Sequence, residues 1–263
     1  MLNSAPAERF SSRVENYVRF RPSYPKEVID VLRLECGLTP NFVVADIASG
    51  TGLFTRLLLE NGNRVFGVEP NKDMRQAGEH YLAEFPNFTS IAGTAESTTL
   101  PHSSADLITC AQAAHWLQRE DALREFQRLL RPGHFVVILF NDRKVKGNAF
   151  SDDYEELVVN YGTDYSEVQR LGRIFEGLEF FTPYSCEKRT LPNYQDFDYE
   201  SLEGRLLSSS YAPQRGDRSF EPMIADLRRI FEKHQSGGQV RMEYDTNIYF
   251  GKLDPAVAKK SGE

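Results

Sequence analysis

Along the first 140 positions, short apolar runs alternate with stretches in which apolar residues recur every three or four positions. Val43 to Asp46 is too short for a helix and rich in β-branched residues, the pattern of a strand buried on both faces. Leu53, Leu57 and Leu58 follow on one helical face, and that helix stops at Asn61-Gly62. Val65 to Val68 is a second strand, after which Asn71 caps a helix. Phe88 to Ala92, Asp106 to Cys110 and Phe135 to Phe140 read as three more strands; the helix carrying Leu123, Phe126 and Leu129 stops before Pro132-Gly133. Strands alternating with helices call for a parallel sheet covered on both faces. Before this core, Ala7 to Phe20 has a helical period, Arg21-Pro22-Ser23-Tyr24-Pro25 is an extended elbow, and a second helix runs from Val28 to Gly37. After Phe140 the pattern changes. Asn141 to Gly177 is polar with helical character, and Tyr184 to Leu191 is a sixth strand. Asp198 to Leu207 and Phe220 to His234 are helices, and Val240 to Leu253 alternates as a closing strand.

The expected architecture is α/β: a doubly wound, mainly parallel seven-stranded sheet with helices on both faces, an N-terminal helical arm and an insertion after the fifth strand. The boundaries expected within one domain of residues 1–263 are an arm at 1–40, a ligand-binding core at 41–140, a substrate-side helical insertion with the sixth strand at 141–240, and the closing strand at 240–253.

The first strand runs into Asp46-Ile47-Ala48-Ser49-Gly50-Thr51-Gly52 and then a helix. Glycines let the backbone turn sharply and let a ligand approach it, and a helix start offers free N–H groups to an anionic group. The dinucleotide fingerprint fails for want of its third glycine: Leu53 stands there in one register and Thr55 in the other. No Gly-Lys-Ser or Gly-Lys-Thr occurs, so the turn is not a P-loop. What remains, Asp-x-small-x-Gly-x-Gly, resembles the first motif of the class I (Rossmann-like) S-adenosylmethionine-dependent methyltransferases. Ala48 stands where the usual pattern has Gly, a mild departure provided its φ is negative. Glu69 follows Asp46 by 23 residues, at the tip of the neighbouring strand, where a carboxylate can accept both hydroxyls of a ribose. A strand-end position implies little cost to the fold if it is removed. The other reading of Glu69 is a solvated surface carboxylate.

The resemblance extends through Gln112 to Trp116 and Leu130-Arg131-Pro132-Gly133 to the type 11 methyltransferase group, and within it the chain is similar to small-molecule methyltransferases of the trans-aconitate type. It implies S-adenosyl-L-methionine as cofactor, held by Asp46, Ala48, Gly50, Gly52, Glu69, Pro70 and Gln112. Met74 resembles the residue that packs near the adenine. Thr94 replaces the acidic residue that reads the adenine amino group, leaving that contact to the backbone around Ala95 or to Glu96. The Tyr-x-x-x-Arg-Pro-x-Tyr-Pro arm, Tyr17 to Pro25, covers the cofactor in the relatives; packing at a domain edge is the alternative for Tyr17 and Tyr24. Tyr17 and His115 are the candidate catalytic side chains. Trp116, Arg21, Arg205 and Tyr211 are the candidates for the acceptor, since Arg forks match carboxylates. His115 and Trp116 read equally as core residues.

The net charge of −7 argues against a broad nucleic-acid or anionic-membrane surface. Three Cys without a Cys-x-x-Cys, and five His without ligand spacing, give no metal site or disulfide framework. The start lacks the apolar core of a signal peptide and Phe135 to Phe140 is too short to span a bilayer, so a cytoplasmic protein is expected. The expected activity is methyl transfer to a small molecule, with an organic-acid carboxylate as a candidate acceptor. The alternative is a cofactor-binding protein without catalysis. A nicotinamide dehydrogenase fits poorly.

Overall fold

In the computed structural model, residues 20–163, 165, 177–209 and 211–253 are described. Apart from Phe20, the helix expected at 7–20, with Tyr17, lies outside these residues. The elements are α1 (Glu27–Cys36), β1 (Val43–Ile47), α2 (Leu53–Glu60), β2 (Arg64–Val68), α3 (Lys72–Tyr81), β3 (Phe88–Ile91), β4 (Ala105–Ala111), α4 (Arg119–Leu129), β5 (Leu130–Arg143), α5 (Ala149–Tyr161), α6 (Gly177–Phe180), β6 (Cys186–Phe197), α7 (Tyr199–Leu207), α8 (Phe220–His234) and β7 (Val240–Gly251).

The helix ends follow local chemistry. Gly37 takes the left-handed conformation that closes α1 (φ 69°). Asn71 caps α3 by accepting from the Met74 amide at 2.9 Å, and Asp198 caps α7 through the Ser201 amide at 2.8 Å.

The seven strands form one sheet in the order β3-β2-β1-β4-β5-β7-β6. β1 pairs in parallel with β2 and β4, and β5 with β4; β7 is antiparallel to both β5 and β6. This is the doubly wound, mainly parallel sheet expected from the sequence. Alternate residues of the central strands feed two cores. Ala45, Ile47, Ile108 and Ile138 pack with Leu123 and Phe126 of α4. Val44, Leu107, Val137 and Leu139 pack with α1 and α2 on the other face. With both faces covered, the strands read as continuous apolar runs.

β5 is longer than the run Phe135 to Phe140. Leu130 pairs with Ala105 and Phe135 with Leu107, so the exposed Arg131, Pro132 and Gly133 bulge out between them. At its other end Asn141, Asp142 and Arg143 continue against Thr246, Asp245 and Tyr244 of β7. β6 likewise outruns Leu191, because its register with β7 continues to Phe197↔Val240. These extensions carry Phe197, Val240, Met242 and Tyr244 into a third core with α5, α7 and α8. No helix among the described residues is long and apolar enough to cross a membrane.

Candidate functional site

The order of strands turns back at β1: β2 and β3 lie on one side, β4 and β5 on the other. Ligand crevices form beyond the carboxyl ends of strands at such a switch. A cleft opens there, lined by Asp46, Ala48, Gly50 and Thr51 of the turn, by Ala111 and Gln112 at the end of β4, by Asn141 of β5, and by Arg21 and Arg205.

The turn holds three left-handed residues: Ala48 at φ 53°, Gly50 at 58° and Gly52 at 84°. Ser49 donates to the Val68 carbonyl at 3.1 Å, which stitches the turn to β2 and forces Ala48 over. Ala48 therefore does not take the negative φ expected for it, and its Cβ bears the left-handed penalty. Ala48→Gly is expected to raise the unfolding free energy by about 1 kcal/mol, read by urea denaturation with m unchanged; a loss of stability would contradict the assignment of strain. At Gly52 a Cβ would lie 2.6 Å from Leu82 Cδ1, so both conformation and space require glycine. Gly78 of α3, which sequence reasoning passed over, is constrained by space alone: its Cβ would lie 3.1 Å from the Gly50 carbonyl.

Asp46 is buried, and the Thr55 and Thr109 hydroxyls donate to its two oxygens at 2.5 and 2.7 Å. Burial outweighs these bonds and pushes its pKa up to about 6. Both threonines were missed; one sits in a helix and the other in a strand, and only their convergence on Asp46 distinguishes them. The Thr51 hydroxyl in the same turn is buried with no hydrogen-bond partner among the described residues.

Glu69 ends β2 and is 7% exposed, so it is not a surface carboxylate. Its Oε2 accepts from the Gly50 amide at 2.9 Å and its Oε1 from the Asn71 amide at 2.8 Å. Burial raises its pKa, and these two amides hold it back. It braces the glycine turn, so its removal will cost the fold more than a strand-end position implies. Each oxygen keeps a further acceptor site for a ligand hydroxyl. Pro70 follows it on the surface, and Met74 is buried with its Cε 3.4 Å from where a Cβ on Gly50 would lie.

Thr94 and Ser97 close a tight turn by mutual backbone bonds of 3.1 and 3.2 Å, burying Ala95. Glu96 accepts from the Gln118 amide at 2.9 Å, next to the start of α4. Gln112 is also left-handed (φ 59°); its amide donates to the Leu139 carbonyl at 2.8 Å and its side chain to the Asn141 carbonyl at 3.2 Å. His115 and Trp116 form a 3-10 turn after β4. The His115 ring lies 4.7 Å from Trp116 and 5.7 Å from Phe140, and desolvation pushes its pKa down to about 4. It stays neutral at physiological pH and is a weak base.

Arg21 lines the cleft from the elbow before α1 and donates to the Ser208 carbonyl at 3.0 Å. Arg205 of α7 is 6% exposed. It donates to Ser209 Oγ at 3.0 Å and Tyr244 Oη at 3.4 Å, and no carboxylate among the described residues pairs with it. Burial works against its charge, and the surrounding tyrosine hydroxyls, Tyr244 first, more than offset it. Tyr211 packs edge-on against Tyr165, centroids 4.8 Å apart, beyond the cleft lining. The fold thus brings Arg21, Asp46, Ala48, Gly50, Gln112 and Arg205 to one cleft. Glu69 and Met74 lie against the turn at Gly50, whereas Gly52, Pro70, Thr94, Ala95, Glu96, His115, Trp116 and Tyr211 are not among the residues that line the cleft. No group of three or more His, Cys, Asp or Glu among the described residues could hold a metal ion.

A methyltransferase domain family matches residues 45–138. An uncharacterised methyltransferase-like protein of Schizosaccharomyces pombe is 24% identical over 262 residues, covering 97% of this chain and 100% of that one. An uncharacterised methyltransferase of Mycobacterium tuberculosis is 37% identical over 134 residues, about half of each chain (51% and 52%). Among solved structures, one described as a type II methyltransferase from Anaeromyxobacter dehalogenans superposes with a TM-score of 0.66 at 21% identity, covering 90% of this chain and 99% of that one. One described as a methyltransferase of an antibiotic biosynthesis pathway from Anabaena variabilis gives 0.56 at 21% identity, covering 89% and 98%. The structural likenesses concern the fold.

Proposed function

We propose that the chain is a class I methyltransferase that uses S-adenosyl-L-methionine, and that it methylates a small molecule bearing an acidic group, which Arg205 grips. The observation that carries this is a buried guanidinium, lining the same cleft as the glycine turn, with no carboxylate partner among the described residues. A buried charge is costly unless paired, and an anionic acceptor supplies the pair.

The cleft fits the cofactor. Among the described residues Asp46 is a buried carboxylate in no ion pair, suited to a ligand that carries positive charge, and the unpartnered Thr51 hydroxyl suits a polar group at the turn. Glu69 is proposed to accept the ribose hydroxyls. Bound S-adenosylmethionine supplies a methyl group already activated by the sulfonium. The protein then has to hold the acceptor in line with the S–CH3 bond and exclude water. A carboxylate acceptor is already a nucleophile and would need no general base. This agrees with a His115 that is neutral and weakly basic. The fraction of the chain outside the family match, with α5, α7 and α8, is the substrate side in this reading.

The test is an acceptor screen with labelled cofactor, followed by steady-state kinetics and cofactor titration on Arg205→Gln and Arg21→Gln. A charge-assisted hydrogen bond of about 1.5–3 kcal/mol corresponds to a rise in acceptor KM of roughly tenfold to a hundredfold for Arg205→Gln, with cofactor Kd nearly unchanged. Loss of cofactor affinity in Arg21→Gln would assign Arg21 to the cofactor. A best acceptor with no acidic group, or an unchanged KM in Arg205→Gln, would sink the proposal.

A further inference from the structure

The face of the sheet toward α1 carries two apolar cores, and the boundary between them is polar. Leu139 and Ile248 belong to the core with α1 and α2, Met242 and Phe197 to the core with α5, α7 and α8. Between them Asn141 lies opposite Thr246 across the β5–β7 ladder, and Asn193 and Gln195 follow at alternate positions of β6, so all four side chains share that face. Thr246 is fully buried and Asn141 nearly so. Buried polar side chains weaken a core unless they are hydrogen-bonded, and here the bonds lead to one place. Asn193 Nδ2 donates to the Ser23 carbonyl at 2.8 Å, and Asn141 Nδ2 to the same carbonyl at 3.3 Å. Gln195 Nε2 donates to the Phe20 carbonyl at 3.3 Å. The Thr246 hydroxyl donates to Asn141 Oδ1 at 2.6 Å, which leaves the Asn141 amide aimed at Ser23. Phe20 and Ser23 flank Arg21 and Pro22 in the elbow before α1, whose Arg21, Pro22 and Tyr24 line the cleft.

The elbow is tied to both walls of that cleft. Tyr24 meets Phe54 of α2 edge-on, centroids 5.0 Å apart, and Phe54 is itself a lining residue. On the other side Phe20 lies against Gly204 of α7, next to the lining residue Arg205; a Cβ on Gly204 would run into the Phe20 ring. Glycine inside a helix weakens it relative to alanine, and the close fit to Phe20 accounts for it here. The elbow therefore bridges the cleft, and a ligand seated beneath it leaves only when the bridge parts.

The geometry points to Asn141, Asn193, Gln195 and Thr246 as positioning residues that seat the elbow, and with it Arg21 and Tyr24, at the cleft and so slow the release of cofactor. This rests on the reading of the cleft as the S-adenosylmethionine site. Of the four, only Asn141 lines the cleft; the others act through the elbow.

Two readouts on the full chain test it: hydrogen exchange of the elbow amides without ligand, and dissociation of labelled S-adenosylhomocysteine chased with unlabelled. Thr246→Val keeps the volume and removes the hydroxyl. It should speed both by about three- to tenfold, the worth of one hydrogen bond, and Asn193→Ala should do the same. Thr246→Ser keeps the hydroxyl and gives up a buried methyl, so it should lower the melting temperature yet leave both rates near those of the unsubstituted protein. Gly204→Ala should displace Phe20 and speed both rates, although alanine favours the helix. Rates that follow the melting temperature, fastest in Thr246→Ser, would reduce the polar row to packing and overturn its positioning role. Faster elbow exchange with unchanged dissociation would overturn the link to cofactor release and leave the cofactor site standing. Failure of the unsubstituted protein to bind S-adenosylhomocysteine would overturn the cofactor reading itself.

Discussion

Glu69→Ala is expected to weaken S-adenosylmethionine binding by roughly ten- to several-hundred-fold, the loss of two charge-assisted hydrogen bonds reduced by residual water contacts. The same substitution is expected to lower the unfolding free energy by about 2–5 kcal/mol, because the Gly50 and Asn71 amides lose the acceptor that each has in the folded protein. The two effects have separate origins. The carboxylate braces the glycine turn through Oε2 and holds the Asn71 amide through Oε1, and in the proposed reading it offers the remaining acceptor sites to the ribose. Calorimetry with S-adenosylhomocysteine and urea denaturation measure them independently. Because the turn is loosened as well, affinity should be compared at saturating folded protein, well below the denaturation midpoint. Undiminished affinity would leave Glu69 as a brace alone; an unchanged midpoint would remove the brace.

The second large effect is a pH dependence centred on Asp46. Burial raises its pKa from the ordinary 3.8 to about 6. A carboxyl raised on folding contributes stability that is fully present below the unfolded value and lost as pH rises through the folded one. For a shift of about two units this is on the order of 3 kcal/mol, given up between roughly pH 4 and pH 6 in the protein without cofactor. Cofactor binding runs the other way. A ligand bearing positive charge favours ionised Asp46 and draws its pKa back down, so binding releases a proton in that window. Affinity for S-adenosylmethionine should therefore rise with pH up to about 6 and level off above it, by up to about a hundredfold if the ordinary pKa is restored. Glu69, also raised by burial, adds in the same direction. Calorimetry near pH 5.5 in buffers of different ionisation enthalpy counts the proton released, and Asp46→Asn should flatten the profile. A flat affinity from pH 5 to 7.5 in the unsubstituted protein would contradict the account.

The sequence by itself determined the elements from α1 to β5 and the position of the glycine turn, because those features rest on local rules. Apolar period distinguishes the buried strands from the helices; Gly37 can take a left-handed cap; the Asn71 side chain caps a helix that begins at the next residue. Parallel pairing followed from the alternation of strands and helices. The location of a crevice at the end of β1 followed from the same alternation, since the chain must turn back there to cover both faces.

Tertiary structure decided what depends on partners distant in the chain. β5 runs on to Arg143 only because β7 lies beside it, and a polar Asn141-Asp142-Arg143 carries no local strand signal. The sign of φ at Ala48 follows from the bond of Ser49 to β2, which no reading of the turn alone contains. Glu69 looked like a strand-end carboxylate free for a ligand; the return of the turn over it added the Gly50 amide to the local one of Asn71 and gave it a role in the fold. Arg21 and Arg205 were legible as cations near the substrate side, but the absence of a carboxylate partner at Arg205 appears only once α7 packs over β7. Local period and turn chemistry act over a few residues. The charge balance of a buried site is a sum over side chains brought in from separate elements, so it exists only in the folded chain.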